Sequence, residues 1–297
     1  MRRKKRYSPD QIYKPYFIVP AILLFTVFFI IPNVGTFFLG FTDWTTRDML
    51  HPQFNGLENF RMMFQEKGVG LAFKNSIYFA VVTVLGKNFL GLLMALALNQ
   101  GLKTKGYLRS VFFFPYVLSV LSVSVIFLAI LNPRYGILNT MLRNVGLGSL
   151  AKEWLWDKRY AMNTVCAVSI WQQLGLHILI YLTGLQAIDK ELYGAAMIDG
   201  ANAWQKFKRI TLPLLMPSVT INVTLSLVGG LKVFGEVFSL TNGGPGNATT
   251  VVAFKVYEIF GSGMLGYGAA VSMVFTVVIS VISLAILYFL QKREVEL

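Results

Sequence analysis

The sequence predicts an all-α integral membrane protein with six transmembrane helices, both termini cytoplasmic, and a structured polar loop between spans four and five. Three observations carry that expectation. The 297 residues are 55% hydrophobic and only 14% charged, where soluble domains run to about a quarter charged, and mean hydropathy is +0.58. Largely apolar runs of about 20 residues, enough to cross a hydrocarbon core as helix, recur along the chain. Lysines and arginines concentrate in alternate connecting segments.

The elements follow in order. Residues 1–15 form a basic segment opening "MRRKKR", and the first span, 16–40, is uncharged, with Pro20 and Pro32 placed to bend it. That run exceeds the roughly 7–15 residues of a signal-peptide apolar region, and no small-residue cleavage site closes it, so a retained span is expected. The remaining core, 75–290, divides into Asn75–Leu98, Ser110–Leu131, Met162–Gln186, Leu214–Leu231 and Gly266–Leu290, with a tail at 291–297.

Orientation follows from charge. With the N-terminus inside, the inner segments hold fifteen basic residues, among them Arg2, Arg3, Lys4, Lys103, Lys105, Arg109, Lys190, Lys206 and Arg209. The longer outer loops hold nine, among them Arg47, Arg134, Lys158 and Lys255. The formal net charge of +13 is therefore explained by topology and contact with anionic lipid rather than by nucleic acid. The single cysteine, Cys166, excludes an internal disulfide and reads as a small core residue.

Between spans four and five lies "LYGAAMIDGANAWQKFKRITLPLLMP" (192–217). Leu192, Ala196, Gly200, Ala203, Phe207 and Ile210 recur at helical spacing, Asp189 suits an N-cap, and Glu191 falls where the helix dipole favours acid. Gly200 divides the stretch into two short helices, and Pro213 is placed to start span five. An amphipathic helix beside a membrane can simply lie in the interface. The weak, alanine-rich face favours close packing against protein instead.

This segment resembles the cytoplasmic motif of importer permeases of the ATP-binding-cassette superfamily, with Ala195, Ala196, Asp199, Gly200, Ala201, Phe207, Ile210, Leu212, Pro213 and Pro217 at matching positions. "FTDW" (41–44), "RSVFFFPYVLS" (109–119), "YGILNTMLRNVGL" (135–147) and "LTNGGPGNATT" (240–250) resemble the carbohydrate-uptake branch, and within it the maltose-type first permease. The sequence departs from that family where its leading Glu is Gly194 and where a preceding proline is Asp189. The resemblance implies that 191–210, within a loop at 187–213, is a coupling helix seated in a separate ATPase. Ala195, Ala196, Asp199, Gly200, Ala201 and Phe207 are then the coupling residues. It further implies a second homologous permease forming a heterodimer, an ATPase dimer that binds ATP and Mg, an extracytoplasmic sugar-binding protein, and a location in a bacterial or archaeal cytoplasmic membrane.

The chain itself holds no phosphate-binding loop, since Gly86-Lys87-Asn88 lacks the upstream glycine and the hydroxyl, and His51 and His177 offer no zinc spacing. No enzymatic activity, no metal and no cofactor in this chain are expected. Polar residues within spans point to a substrate path: Trp171, Gln172, Gln173 and His177 in span four, Asn222 and Ser226 in span five. Aromatic faces and amides suit a sugar's C–H faces and hydroxyls; the same groups also suit hydrogen bonds between helices. Lys87 requires a partner or a cavity, and Lys232 and Glu236, four apart, are expected to pair. Gly243, Gly244 and Pro245 mark an outward-facing turn placed to meet the binding protein. An ion-driven secondary transporter is the alternative. It calls for intramembrane acid, and none is expected at depth in the six spans.

Overall fold

The computed structural model describes residues 15–100 and 104–294. The basic residues at 1–14, Lys103 and the end of the tail lie outside the described residues. Among the described residues, four helices are long and apolar enough to cross a membrane: α1 (Val19–Leu39), α3 (Lys67–Leu98), α7 (Ala161–Ala187) and α13 (Leu265–Gln291). The other two expected spans are bent pairs. One is α4 (Lys105–Val117) with α5 (Val120–Ile130), turned by 97°. The other is α9 (Ala203–Leu214) with α10 (Met216–Leu231), turned by 65°. Shorter helices are α2 (Glu58–Gln65), α6 (Ile137–Asn144), α8 (Lys190–Ile198), α11 (Gly235–Leu240) and α12 (Val252–Gly261).

The break in the third span corrects the expected single helix Ser110–Leu131. Leu118 and Ser119 are extended, with ψ 144 and 146, and Ser119 Oγ caps α5 by accepting from Ser122 N at 3.1 Å. At 1.5 Å per residue, α4 and α5 reach only about 20 and 16 Å, so neither crosses a bilayer alone. Pro213 likewise does not open span five. It lies in the last turn of α9, and Pro217 occupies the first turn of α10, where a missing N–H is harmless.

The chain forms two compact units. In the first, 1–65 with 259–274, the "FTDW" loop is pinned by backbone: Gly266 N donates to Trp44 O at 2.7 Å and Thr46 N to Gly263 O at 3.0 Å. Asn59 Nδ2 bonds Gly40 O and Thr42 O at 2.9 and 2.8 Å. No residue of α1 is buried, and most of its apolar side chains are exposed, as suits a helix that meets lipid or another chain.

The second unit, 66–258 with 275–297, packs α7 between α3, α4 and α10. Two apolar clusters bracket a polar layer. Phe79, Val123, Val165, Cys166 and Val237 form one; Leu98, Ile178, Tyr181, Leu185 and Leu215 form the other. The helices approach closely enough that a Cβ on Gly175 would strike backbone of α4, the Phe112 carbonyl and Phe113 Cα. Small residues at such crossings are how membrane helices gain van der Waals contact where the solvent is itself apolar.

Candidate functional site

The polar layer is built by α3, α7, α10 and α11. Lys87 is 1% exposed, and its Nζ donates to Gln173 Oε1 at 3.0 Å. Gln173 Nε2 donates in turn to Glu236 Oε1 at 3.2 Å, and Ser169 Oγ donates to the same oxygen at 3.3 Å. A buried cation and a buried carboxylate are thus joined through one amide, which answers the high cost of isolated charge in a low-dielectric medium. One expectation falls here. Lys232 does not pair with Glu236; it is exposed at the C-terminus of α10. Glu236 lies outside the six apolar spans, but the chain unwinds at Val233–Phe234, and α11 carries it back against Ser169 and Gln173 of α7.

A second set lies alongside. His177 Nδ1 and Asn222 Oδ1 are 2.8 Å apart, with the ring N–H donating, and Asn222 Nδ2 donates to His177 O at 3.4 Å. Asn88 Nδ2 donates to Ser226 Oγ at 3.0 Å, and Tyr181 Oη donates to Asn88 Oδ1 at 2.7 Å. Gln172 Nε2 donates to Leu118 O at 3.0 Å, satisfying a carbonyl freed by the α4–α5 break, while its Oε1 is buried without a partner. Among the six substrate-path candidates, Gln172, His177, Asn222 and Ser226 are buried, Gln173 is half-buried, and Trp171 is exposed with its ring 5.1 Å from Phe127. Trp171 and Gln173 are therefore the two that keep surface to offer.

The segment between spans four and five has two helices, each with a defined start or stop. Asp189 caps α8, its Oδ1 accepting from Glu191 N at 2.9 Å. The far end is a complete Schellman motif: Gly200 has φ +72, Ala201 N donates to Ala196 O at 2.9 Å, and Gly200 N donates to Met197 O at 3.1 Å. Asn202 and Gln205 then form a capping box that opens α9, at 2.9 and 2.8 Å. Because the chain turns at Gly200, Leu192, Ala196, Gly200, Ala203, Phe207 and Ile210 do not share one continuous face. Tyr193 Oη meets Thr211 Oγ1 at 2.9 Å and ties the pair of helices together. Apolar side chains at the tip stand free: Ile198 is 89% exposed, Trp204 68% and Met197 61%. Ala195, Asp199 and Gly200 are exposed beside them; Ala196, Ala201 and Phe207 are half-buried, and Phe207 stacks on Trp204. Gly194 faces open space.

The Gly243–Pro245 turn is held to the start of α3. Thr250 Oγ1 donates to Gly243 O at 3.0 Å, Thr249 Oγ1 to Gly244 O at 2.7 Å, and Asn75 Nδ2 to Thr250 O at 2.9 Å. Beside it a cavity of about 340 Å³ is lined by Trp156, Phe238, Thr241, Asn242 and Pro245. Among the described residues no group of His, Cys, Asp or Glu could hold a metal ion.

Several membrane-crossing helices, two bent helix pairs and a two-helix segment with a bare apolar tip describe a multi-pass membrane protein. Residues 87–296 match the family described as "Binding-protein-dependent transport system inner membrane component", and the chain belongs to that family. It is 35% identical to a probable ABC transporter permease protein of Bacillus subtilis, over 95% of this chain and 97% of that one. It is 33% identical to the multiple sugar-binding transport system permease MsmF of Streptococcus mutans, over 94% and 95%. Identity to the trehalose/maltose transport system permease MalF of Thermococcus litoralis is 32%, over 91% and 90%. The fold matches a chain from the crystal structure of a bacterial ABC transporter involved in import of the polysaccharide alginate, with TM-score 0.81 and 24% identity, over 93% of this chain and 94% of that one. The protein is an ABC-importer permease subunit rather than an enzyme.

Proposed function

We propose that this permease carries a sugar or oligosaccharide across the cytoplasmic membrane by alternating access, driven by a separate ATPase that docks on 191–210. The observation that carries the reading is the tip of the α8–α9 segment. Ile198, Trp204 and Met197 form an exposed apolar group on a turn built by a complete Schellman motif and a capping box. Exposed apolar groups on a preorganised element mark a partner surface. Ala195, Ala196 and Ala201 add no bulk beside it, and Gly200 sets the turn.

In this reading both termini and the α8–α9 segment face the cytoplasm. A second, homologous permease completes a heterodimer, and an ATPase dimer binds ATP and Mg. Closure of that dimer moves α8 and α9, and Tyr193–Thr211 together with the one-residue link from α9 to α10 carries the movement into the polar layer. The substrate class comes from the sugar permeases among the relatives and from Trp171 and Gln173, whose ring and amide suit C–H faces and hydroxyls. The aromatic-lined cavity and the Gly243–Pro245 turn receive an extracytoplasmic binding protein on the opposite side.

The test is cysteine crosslinking in the assembled complex. Cys166 is fully buried, so the wild-type chain is silent toward surface reagents. Ile198→Cys should crosslink to the ATPase, and Asn247→Cys to the binding protein. An ATPase crosslink from position 247 in place of 198 would show the topology to be inverted and sink the reading.

A further inference from the structure

Lys105, Arg109 and Lys190 do not belong to the substrate path or to the exposed tip, yet they converge. They line a cavity of about 500 Å³ between the ends of α3 and α7 and the beginnings of α4 and α8, together with Asn99, Gln186 and Tyr193. Its volume falls within the range of ligand sites, about 300–1,000 Å³. Lys105 and Arg109 stand four apart on α4, one above the other on a single face. Lys190 comes from a different element, the first residue of α8.

Three cations share this space, and among the described residues no Asp or Glu lines it. Among the described residues none of the three forms an ion pair. Arg109 Nε is buried with no hydrogen-bond partner, a state that native structures rarely leave uncompensated. The first turn of α4, which contributes Lys105, adds to the positive potential, since Thr104 makes no side-chain cap to its N–H groups. Like charges brought together around an unpartnered guanidinium call for an anion with several acceptor oxygens. Arginine beside lysine is the pairing that recognises phosphate.

The cavity lies where the apolar helices α3 and α7 end and α4 begins, the level at which a span of this length gives way to headgroups. We propose that it is a binding site for the phosphate of an anionic phospholipid headgroup, held by Lys105, Arg109 and Lys190. Occupancy ties the start of α8 to the spans, so headgroup binding sets how well movement of the α8–α9 segment reaches the membrane core. Basic pockets between helices on the cytoplasmic side are a recurrent form of lipid recognition. The cytoplasmic placement rests on the topology proposed above; the phosphate site does not.

The test uses the purified complex with three variants: Lys105→Gln/Arg109→Gln/Lys190→Gln, the single Arg109→Gln, and the charge-keeping Arg109→Lys. Lipid retained by each is read by native mass spectrometry after exchange into mixed phosphatidylcholine and phosphatidylglycerol. Wild type should keep phosphatidylglycerol selectively. Three contacts worth about 1 kcal/mol each correspond to a loss on the order of a hundredfold in the triple variant. Arg109→Gln should fall between, and Arg109→Lys should retain most binding.

ATP-driven uptake is then measured in vesicles of phosphatidylcholine alone, with phosphatidylglycerol added, and with millimolar inorganic phosphate added to phosphatidylcholine. Stimulation of wild type by phosphatidylglycerol, absent in the triple variant and not reproduced by phosphate, supports the lipid site. Stimulation by phosphate equal to that by lipid overturns the lipid assignment in favour of a soluble phosphate ligand. Equal lipid retention by wild type and triple variant overturns the site. Loss of the ATPase from the triple variant, with lipid retention unchanged, overturns it too, because the cations would then be a subunit contact. Retention is read without transport, so a complex that binds phosphatidylglycerol but imports no sugar refutes the transport reading and leaves this site standing.

Discussion

Removing the lysine from the Lys87–Gln173–Glu236 chain should destabilise the permease far more than an ordinary substitution. Lys87 is 1% exposed and Glu236 7%, and a single amide joins them through contacts of 3.0 and 3.2 Å. Lys87→Met keeps the length and apolar bulk of the side chain but, among the described residues, leaves Glu236 with Ser169 and Gln173 to meet its charge. Breaking a buried pair by deleting one partner costs about 3–5 kcal/mol. At about 2–4 °C per kcal/mol for a unit of this size, the midpoint should fall by roughly 6–20 °C. Cys166, the chain's one cysteine, is fully buried within the adjoining apolar cluster and becomes reactive only when that core opens. Heating the detergent-solubilised complex with a thiol-reactive dye, then reading the label on this chain by intact mass, therefore reports the relevant unfolding. Glu236→Gln alone should also destabilise, by leaving the ammonium unpaired. The double variant Lys87→Met/Glu236→Gln should lose less than the sum of the singles, by about 0.5–3 kcal/mol. A Lys87→Met midpoint within 1–2 °C of wild type, or strict additivity in the double variant, would refute the buried chain.

Other outcomes follow from the same geometry. Gly175→Leu should disrupt assembly of the α4–α7 crossing, because its Cβ meets α4 backbone that cannot rotate away, at a cost of about 1–3 kcal/mol or more; the yield of monodisperse protein checks this. Gly200→Trp faces open space but requires φ +72, so the protein should still insert while ATP-driven uptake is abolished. Ile198→Glu with Trp204→Glu should leave the thermal midpoint within about 0.5 kcal/mol of wild type in stability, since neither side chain is buried, yet weaken ATPase co-purification.

Much of this was legible in local pattern. Long uncharged runs specify membrane helices by length alone, and Asp189 and Gly200 state the start and stop of α8 through side-chain chemistry that acts within a few residues. The α4–α5 break was also written locally, in Pro115 and the Ser119 cap, but the continuous apolarity of 110–131 masked it. The capping box at Asn202–Gln205 is hidden for a similar reason: helical spacing runs on across a turn that changes the axis. The partner of Lys87 could not be read from spacing, because Glu236 comes from another element and reaches it only when the chain unwinds after α10. Spacing along one helix favoured Lys232 for that carboxylate, and tertiary packing overruled it. The same limit applies to the polar layer, where sequence located the residues of α7 and α10 but not which of them would be consumed by bonds to Asn88 and Leu118.

The most direct test of the central claim is transport by the purified assembly. The chain should be co-purified with a second permease and an ATPase, sealed into proteoliposomes with ATP and Mg inside, and supplied with sugar and binding protein outside. Accumulation of labelled sugar that requires internal ATP and external binding protein, and that Gly200→Trp abolishes, is the predicted result. Accumulation by this chain alone, driven by an ion gradient and indifferent to ATP, would contradict it.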